Sequence, residues 1–345
     1  MKIDHKINHT DNKMATIRDV SRLAGVSVAT VSRTLTKPDK VSLKTREKVN
    51  VAIKETNYKP DILARNFRTR KSSTVVVLVP DIANPFFSRV IRGIEQTAQK
   101  LGYVVLLGDT QGLREREITY AKMVDTSQAE GIIQLDCHIP FEDQENITAP
   151  VVNACDCVRG IEIPSVQIDN ISAAKEMTEH LLSLGHKNIA VISGPEQSTI
   201  TQDRLFGHIN SLNDAGTTFK TENVAYGDYS IQLGAKAAEK LLNMSPSPTA
   251  IFCMNDEMAI GAIHYAKKKR LSVPDDISIS GFDNISFAEY SDPPLTTISQ
   301  PAEEFGSFAM SMLFDVMKGN ELEEKYKLLP FELIKRKSTG INNHD

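Results

Sequence analysis

The 345-residue sequence contains no tryptophan, and none of its apolar stretches approaches the roughly 18 residues that a membrane-spanning helix requires. Its first 14 residues are polar and charged, without the apolar segment that a secretory signal carries. These absences predict a protein that neither crosses a membrane nor is exported. We therefore expect it in the cytoplasm.

Cysteine is also scarce, with four residues in the chain. Cys155 and Cys157 are separated by one residue, whereas zinc-binding pairs usually have two to four residues between them and a second pair elsewhere. Cys137 and Cys253 lie in or beside apolar segments, where a thiol behaves as a small buried hydrophobic group. The cysteines are interpreted as structural, and we expect neither a metal ion nor a cofactor.

Motifs of catalysis are missing as well. The sequence has no Gly-x-Ser-x-Gly, no phosphate-binding P-loop and no Gly-x-Gly-x-x-Gly after its first predicted strand. Five histidines lack motif spacing and are interpreted as surface or cap residues: His138, His180, His186, His208 and His264. The sequence therefore does not favour an enzyme.

The formal net charge of −4 conceals two regions of opposite sign. Residues 1–72 contain 17 Lys and Arg against 7 Asp and Glu, whereas the remainder contains 23 against 37. A basic N-terminal module on an acidic body predicts that the first 72 residues meet a polyanion. A solvated charged tail is the alternative, but it fits poorly with the regular apolar pattern of the same stretch.

The basic stretch predicts three short helices. Thr16 and Ser27 suit the N-caps of the first two, and Gly25 between them can adopt the positive φ of a tight turn. A third helix opens at Ser42 and ends before Pro60. Two short helices about a glycine-containing turn are typical of a helix-turn-helix, whose second helix inserts its N-terminal residues into the major groove of DNA.

The second helix supplies the candidate DNA contacts. Its predicted base-contacting residues are Val28, Ala29 and Arg33. Ser27, Thr30 and Ser32 are candidates for hydrogen bonds to phosphates. Ser27 is equally explained as a helix cap, and Thr30 as a surface residue.

Residues 16–33, which read TIRDVSRLAGVSVATVSR, closely resemble the headpiece of the lac-repressor (LacI/GalR) family. Val41-Ser42, Thr45-Arg46 and Asn57-Tyr58-Lys59-Pro60 continue the match in register. The resemblance implies a sequence-specific transcriptional repressor that binds a pseudo-palindromic operator as a homodimer. It adds to the candidate DNA contacts Thr16, Arg46 and Tyr58.

Residues 60–72 form a basic, partly apolar segment that suits a helix, although a helix of this length is marginal in water. By resemblance it is a hinge that folds in the minor groove when two copies pair on DNA. Ala64 would lie at the pairing contact, and Phe67 stands where the family often has a leucine that wedges between base steps. A passive tether is the alternative interpretation.

From residue 74 onward, apolar strands alternate with helical stretches. Strands are predicted at 74–79, 103–107, 131–135, 151–154, 166–168, 188–192, 249–254 and 277–281. Helices are predicted at 87–101, 173–184, 203–215 and 256–269. This alternation predicts an α/β fold of parallel sheets, and its roughly 260 residues suit two doubly wound subdomains. The predicted domains are a headpiece (14–59), a linker (60–72) and a core (73–337).

The family resemblance extends through the core, at Asn84-Pro85-Phe86-Phe87, Gly281-Phe282-Asp283-Asn284 and residues 293–298 among other stretches. It implies a two-lobed fold like that of periplasmic binding proteins, with a chain that crosses repeatedly between the lobes. An exported binding protein would share this core but would lack the headpiece. Ligands of open α/β sheets bind beyond the carboxyl ends of the strands, which predicts a ligand site in the cleft between the lobes.

Side chains at strand ends are the candidate ligand contacts. Phe86 and Phe87 follow the first strand and suit stacking on a planar ligand, with helix packing as the alternative. Asp283 follows the strand at 277–281 and can accept hydrogen bonds from hydroxyls or amines. Strand-end position and the family resemblance together add Asp169, Arg204, Tyr229 and Asn255. Asp169 and Asn255 are equally explained as helix N-caps.

The stretches Val79-Pro80-Asp81 and NPFFS at 84–88 resemble members of the family that respond to cytidine. That resemblance implies a nucleoside inducer and cooperation with the cyclic-AMP receptor protein. Ser198 stands where purine-binding relatives carry an arginine, which disfavours a purine base and leaves a sugar as the other alternative. The chain ends soon after residues 331–337 without apolar heptads, which predicts a dimer without a tetramerising tail.

Overall fold

The computed structural model describes residues 15–58, 72–143, 147–156 and 160–343. The chain divides into two compact units, residues 1–70 and 71–345. The predicted hinge residues Ala64 and Phe67 lie outside the described residues. Among the helices that are described, none is long and apolar enough to cross a membrane.

The first unit is a three-helix bundle of α1 (Ile17–Ala24), α2 (Val28–Thr36) and α3 (Leu43–Thr56), with a 3-10 turn at Pro38–Lys40. The Thr16 backbone N–H donates to Asp19 Oδ2 at 2.9 Å, which caps α1 as the sequence predicts. Gly25 ends α1 with a φ of 64°, a left-handed conformation that glycine adopts without steric cost. The helix-turn-helix is confirmed. Its interior consists of five buried apolar residues: Val20, Ala24, Val31, Val49 and Ala52.

The second unit contains two six-stranded sheets. The first is built of β1 (Thr74–Val79), β2 (Val104–Asp109), β3 (Gly131–Gln134), β4 (Val151–Ala154), β5 (Ser165–Ile168) and β11 (Tyr326–Leu329). The second is built of β6 (Ile189–Ser193), β7 (Val224–Tyr226), β8 (Ala250–Cys253), β9 (Ser278–Asp283), β10 (Thr296–Ser299) and β12 (Glu332–Ile334). The strand orders are β2-β1-β3-β4-β5-β11 and β7-β6-β8-β9-β10-β12. Neighbouring strands are parallel except for β10 and β12, which are antiparallel.

Each sheet forms a lobe with the helices that cover it. These helices are α4 (Pro85–Leu101), α5 (Arg114–Asp125), α6 (Asn170–Ser183), α7 (Thr199–Asp214), α8 (Ile231–Leu242), α9 (Asp256–Lys268), α10 (Ser286–Tyr290) and α11 (Ala302–Lys318). Helix α11 packs on α4 in the first lobe, whereas α6 packs on α7 in the second. The chain therefore passes between the lobes after β5, after β10 and after β11. This topology confirms the predicted two-lobed α/β fold.

Four strands were absent from the sequence prediction: β7, β10, β11 and β12. Edge strands β7 and β12 have only three residues each, and β11 leaves Tyr326 and Leu328 50% and 60% exposed. Such strands lack the continuous apolar run that marks a strand buried on both faces. Strand β10 is buried but contains Thr296 and Thr297, whose hydroxyls are hydrogen-bonded inside the lobe.

Three of the five histidines interpreted as surface or cap residues are buried instead: His180, His186 and His208. His208 is fully buried and its Nδ1 lies 2.9 Å from Thr178 Oγ1, so that burial lowers the pKa of His208 to about 4. His186 is 2% exposed and lies within hydrogen-bond distance of Thr249 and Ser278. The surface interpretation was wrong because hydroxyls from distant segments solvate these imidazoles inside the lobe.

Candidate DNA-binding surface and ligand-binding cleft

Helix α2 presents three of the candidate DNA contacts to solvent. Val28 is 39% exposed, and Ala29 and Arg33 are exposed as well. The opposite face of α2 buries Val31 and Thr34 against α1 and α3. The helix therefore points its base-contact candidates away from the interior that holds it in place.

Ser27 and Thr30 form a local hydrogen-bonded pair. The Thr30 backbone N–H donates to Ser27 Oγ at 3.1 Å, and the two hydroxyl oxygens lie 2.9 Å apart. Ser27 thus caps α2, which was one of its two predicted roles. Because a hydroxyl oxygen that caps a helix can still donate its hydrogen outward, a phosphate contact stays a prediction for both residues.

The remaining headpiece candidates differ in exposure. Thr16 is exposed at the start of α1, and Ser32 is half-buried on α2. Arg46 is half-buried on α3, and its Nε is shielded from solvent without a hydrogen-bond partner among the described residues. Tyr58 packs on the apolar interior of the headpiece. The guanidinium has further N–H donors besides Nε, so a phosphate contact stays a prediction for Arg46.

In the second unit, the candidate ligand contact Arg204 connects several elements of the second lobe. It is 3% exposed on α7, and its Nε donates to Asn170 Oδ1 at 2.9 Å. Its Nη1 donates to the Met254 carbonyl, and the guanidinium lies 3.5 Å from the centroid of the Phe282 ring. These contacts join the starts of α6 and α9 to the end of β9. Nη2 forms no hydrogen bond to any of the residues that the structure describes.

Asp283 is buried at the carboxyl end of β9. Its backbone φ is 109°, a value that residues other than glycine rarely adopt. Its Oδ1 accepts a hydrogen bond from Gln300 Nε2 at 2.7 Å. Burial raises the pKa of Asp283 to about 7, although Arg204 and Gln300 oppose the shift. The carboxyl group is therefore poised between its two protonation states near neutral pH.

Tyr229 and Asn255 contact each other directly. The Asn255 amide donates to the Tyr229 carbonyl at 2.9 Å, while its Oδ1 accepts from the Met258 N–H and caps α9. The Tyr229 hydroxyl lies 2.9 Å from Thr201 Oγ1 on α7. A Cβ added at Gly194 would come within 2.1 Å of the Tyr229 ring, so the absence of a side chain at Gly194 leaves room for the tyrosine.

The other three candidates have structural partners of their own. Asp169 is exposed and caps α6, accepting from the Ser172 backbone N–H at 2.9 Å. Phe86 is 7% exposed and packs edge-on against Phe87 and Phe305. Phe87 is half-buried and so retains ring surface outside the core. Asp169 and Phe86 thus fit the alternatives stated for them, and ligand contact stays a prediction for all three residues.

Sequence reasoning missed two buried residues that organise the cleft. Asn170 receives the Arg204 hydrogen bond described above. Asp256 is fully buried, where it accepts hydrogen bonds from Thr297 Oγ1 at 2.6 Å and from the Ile285 N–H at 2.8 Å. Burial, with the nearby Asp283 carboxyl adding to it, raises the pKa of Asp256 well above its usual range. The sequence signal was that each polar residue directly follows a strand-end residue already chosen.

Two family models match the chain. The model "Bacterial regulatory proteins, lacI family" matches residues 16–61, and "Periplasmic binding proteins and sugar binding domain of LacI family" matches residues 72–337. Over 329 residues the chain is 43% identical to the HTH-type transcriptional repressor CytR of Escherichia coli K12, covering 94% of this chain and 96% of that protein. It is 36% identical to the catabolite control protein A of Priestia megaterium, with coverages of 94% and 99%.

Solved structures agree with these matches. The lac repressor dimer bound to operator and the anti-inducer ONPF has a TM-score of 0.83 and 30% identity, over 95% of this chain and 100% of that chain. A complex of the transcriptional regulator CelR with cellobiose has a TM-score of 0.71 and 29% identity, over 94% and 99%. Both matches extend over the headpiece as well as the core.

Proposed function

The chain belongs to the lacI family of bacterial regulatory proteins and is a DNA-binding transcriptional repressor; from that premise we propose that a nucleoside, cytidine first, relieves its repression. The proposal includes the division into headpiece (14–59), hinge (60–72) and effector-binding core (73–337). It also includes action in the cytoplasm, where operator DNA lies, and cooperation with the cyclic-AMP receptor protein.

The exposure of Val28, Ala29 and Arg33 on α2 supports their role in recognising the operator. Contacts to base edges discriminate by roughly 1–3 kcal/mol per base pair, whereas phosphate contacts do not discriminate. We therefore expect Val28→Tyr with Ala29→Gln to change the preferred operator and Arg46→Ala to weaken all operators alike. A selection from randomised DNA tests this, and an unchanged consensus for the double variant would refute the assignment.

The homodimer is supported by edge strand β2. This strand leaves Val104 66% exposed and Leu106 and Leu107 37% exposed each. Exposed apolar edge strands are rare on monomers because they invite pairing, so a second copy is the natural cover. Val104→Glu with Leu106→Glu is expected to give monomers in sedimentation and to abolish binding to a palindromic operator. Unchanged sedimentation of this variant would rule out β2 as the dimer contact.

The observation that carries the effector proposal is a pair of buried, oppositely charged groups that the protein does not pair with each other. Arg204 and Asp283 influence each other electrostatically but form no ion pair within 4 Å, and neither side chain uses all of its polar atoms in hydrogen bonds to the described residues. Buried polar groups are normally satisfied, and ribose hydroxyls can donate to Asp283 and accept from Arg204. The half-buried Phe87 ring suits a flat base.

Calorimetry of the purified protein against cytidine, adenosine, hypoxanthine and simple sugars tests the effector. We expect binding heat from cytidine, and its loss in Asp283→Ala while operator binding is retained. Asp292→Ala is the matched control, because the Asp292 side chain is 92% exposed and lies in a surface ion pair with Lys267. Heat from a free base or a sugar, with none from any nucleoside, would overturn the assignment.

A sugar is the second candidate, since the family model that matches the core is described as a sugar-binding domain. The same buried carboxyl and guanidinium groups would bind sugar hydroxyls. A purine base is disfavoured because Ser198, at the position of an arginine in purine-binding relatives, is the N-cap of α7, where it accepts from the Thr201 N–H at 3.3 Å. The calorimetric series separates the candidates in a single experiment.

A further inference from the structure

Beyond the carboxyl end of β3, three consecutive residues bring metal-ligand atoms together. The ligand atoms of Asp136, Cys137 and His138 all lie within 4.8 Å of one another. We propose that these residues, together with Glu117 of α5, bind a divalent transition-metal ion of the zinc class. No motif spacing predicted this site, since it combines adjacent residues with one from a separate helix.

The distances within the cluster suit tetrahedral coordination. His138 Nδ1 lies 3.4 Å from Glu117 Oε1 and 3.8 Å from Asp136 Oδ2. With metal–ligand bonds of about 2.0–2.3 Å, the ligand atoms of a tetrahedral zinc site lie roughly 3.3–3.8 Å apart. His138 Nδ1 therefore already has the required spacing from one oxygen of each carboxylate. The ligand atoms of Asp136, Cys137 and His138 lie no more than 4.8 Å apart. Even the largest such distance would have to shorten by only about 1 Å to reach tetrahedral spacing.

Glu117 provides independent support for a bound cation. Its side chain is fully buried, and its Oε2 has no hydrogen-bond partner among the described residues. A buried carboxylate oxygen without a partner is costly, because the water that solvated it in the unfolded chain has not been replaced. A metal ion beside His138 would supply the missing partner.

The charge around the cluster also favours a cation. The carboxylates of Asp136 and Asp156 both act electrostatically on the Cys137 thiol and the His138 imidazole, and Glu117 acts on His138 and Asp136. Within the described parts of the chain, His138 is the one basic side chain within 4 Å of Glu117 or Asp136. Imidazole, thiolate and carboxylate together are typical of zinc and its neighbours, whereas magnesium and calcium take oxygen ligands alone.

The site lies where the two lobes meet. The Cys137 sulfur interacts with the backbone N–H of Thr199, the first residue of α7 in the second lobe. Helix α7 also carries Thr201 and Arg204 of the ligand cleft. A metal ion bound to Cys137 therefore favours one arrangement of the lobes and changes effector affinity, and linkage requires the effector to change metal affinity by the same factor. This coupling, unlike metal binding itself, rests on the proposed function.

Cobalt titration of the reduced, metal-free full-length protein tests the site. We expect one Co²⁺ per chain with a thiolate-to-cobalt charge-transfer band, and displacement of the Co²⁺ by Zn²⁺. Cys137→Ser removes the band, and Glu117→Gln weakens Co²⁺ binding by roughly 10-fold or more. His264→Ala is the matched control, because this exposed histidine on α9 lies outside the cluster and its loss leaves the titration unchanged.

Each variant is checked for retained operator binding, and His138→Ala replaces Cys137→Ser should the latter fail to fold. Absence of the charge-transfer band from the wild-type protein overturns the proposal. If both Cys137→Ser and His138→Ala still bind cobalt, the cobalt binds adventitiously elsewhere, and this outcome also overturns the proposal. If the metal binds as expected but leaves the calorimetric affinity for the effector unchanged, the coupling alone is refuted. Absence of any effector heat, with cobalt still bound, refutes the proposed effector and not the metal site.

Discussion

The headpiece and the cleft are built in opposite ways. In the headpiece, the capping hydrogen bonds join residues three apart, as in Ser27 with Thr30 and Ser42 with Thr45, and the base-contact candidates are exposed. In the cleft, the hydrogen bonds of Arg204 join residues 34 and 50 positions apart, and the polar groups are buried. Exposed side chains held by local hydrogen bonds can be substituted with little effect on folding. Substitution in a buried polar network changes the free energy of unfolding and its pH dependence as well as ligand binding.

The largest expected effect follows from removing the centre of the network. Arg204→Ala leaves Asn170 and the Met254 carbonyl without their buried hydrogen-bond partner and removes the positive charge that acts on Asp283. Breaking a buried charge network typically costs about 3–5 kcal/mol. Urea denaturation at neutral pH measures the loss. Arg92→Ala is the control: that side chain is 65% exposed in a surface ion pair, and its removal changes the free energy of unfolding by about 0.5 kcal/mol at most. Equal values for the two variants would contradict the contrast between buried and exposed groups.

The next effect depends on pH. Because the pKa of Asp283 is raised from 3.8 to about 7 in the folded protein, its protonated form is the one that folding favours. This contribution is fully present below pH 3.8 and is lost as pH rises through about 7. Asp283→Asn removes the cost of ionisation, so we expect it to gain up to roughly 4 kcal/mol over wild type at pH 8 and little at pH 4.

Denaturation of both proteins at several pH values measures this difference. Asp292→Asn, on an exposed side chain, is expected to show no comparable pH dependence. If the free energies of unfolding of Asp283→Asn and wild type differ by the same amount at pH 4 and pH 8, burial does not raise the pKa of Asp283.

A smaller effect is expected for a headpiece cap. Ser42 Oγ accepts the Thr45 N–H at 3.4 Å at the start of α3, and loss of such a cap typically costs about 1 kcal/mol. Ser42→Ala should speed hydrogen exchange of the α3 amides while leaving amides of the two core sheets unchanged. Ser42→Asp restores an acceptor and should restore protection. Faster exchange throughout the core sheets would show that the cap acts beyond the headpiece.

The smallest effect on stability is expected at the base-contact candidates. Arg33→Ala removes an exposed side chain and should change the free energy of unfolding by about 0.5 kcal/mol at most. Operator affinity should nevertheless fall by about 1–3 kcal/mol, measured by band shift at fixed salt. Lys54→Ala, an exposed cation on α3 outside the recognition helix, is the control. A similar loss in both variants would indicate a general charge effect in place of base recognition.

The same contrast between local and long-range contacts explains which site residues the sequence predicted. The N-caps Thr16 and Ser27 were identified because capping depends on residues within one helical turn. Asp283 and Asn255 were identified because they follow apolar strands, whose ends are visible as a change from apolar to polar residues. Asp256 and Asn170 were missed, although each lies beside a chosen residue, because only their partners from other elements reveal them.

The sequence by itself determined the helix-turn-helix and the alternation of parallel strands with helices, since helical and strand periodicity are local properties of the chain. The family followed from the resemblance of its motifs. The tertiary structure alone decided which polar groups are buried together. It placed His208 beside Thr178, Arg204 on the Phe282 ring and Glu117 beside His138. Burial depends on the packing of segments that are distant in sequence, and the desolvation that raises or lowers a pKa exists only once those segments have met.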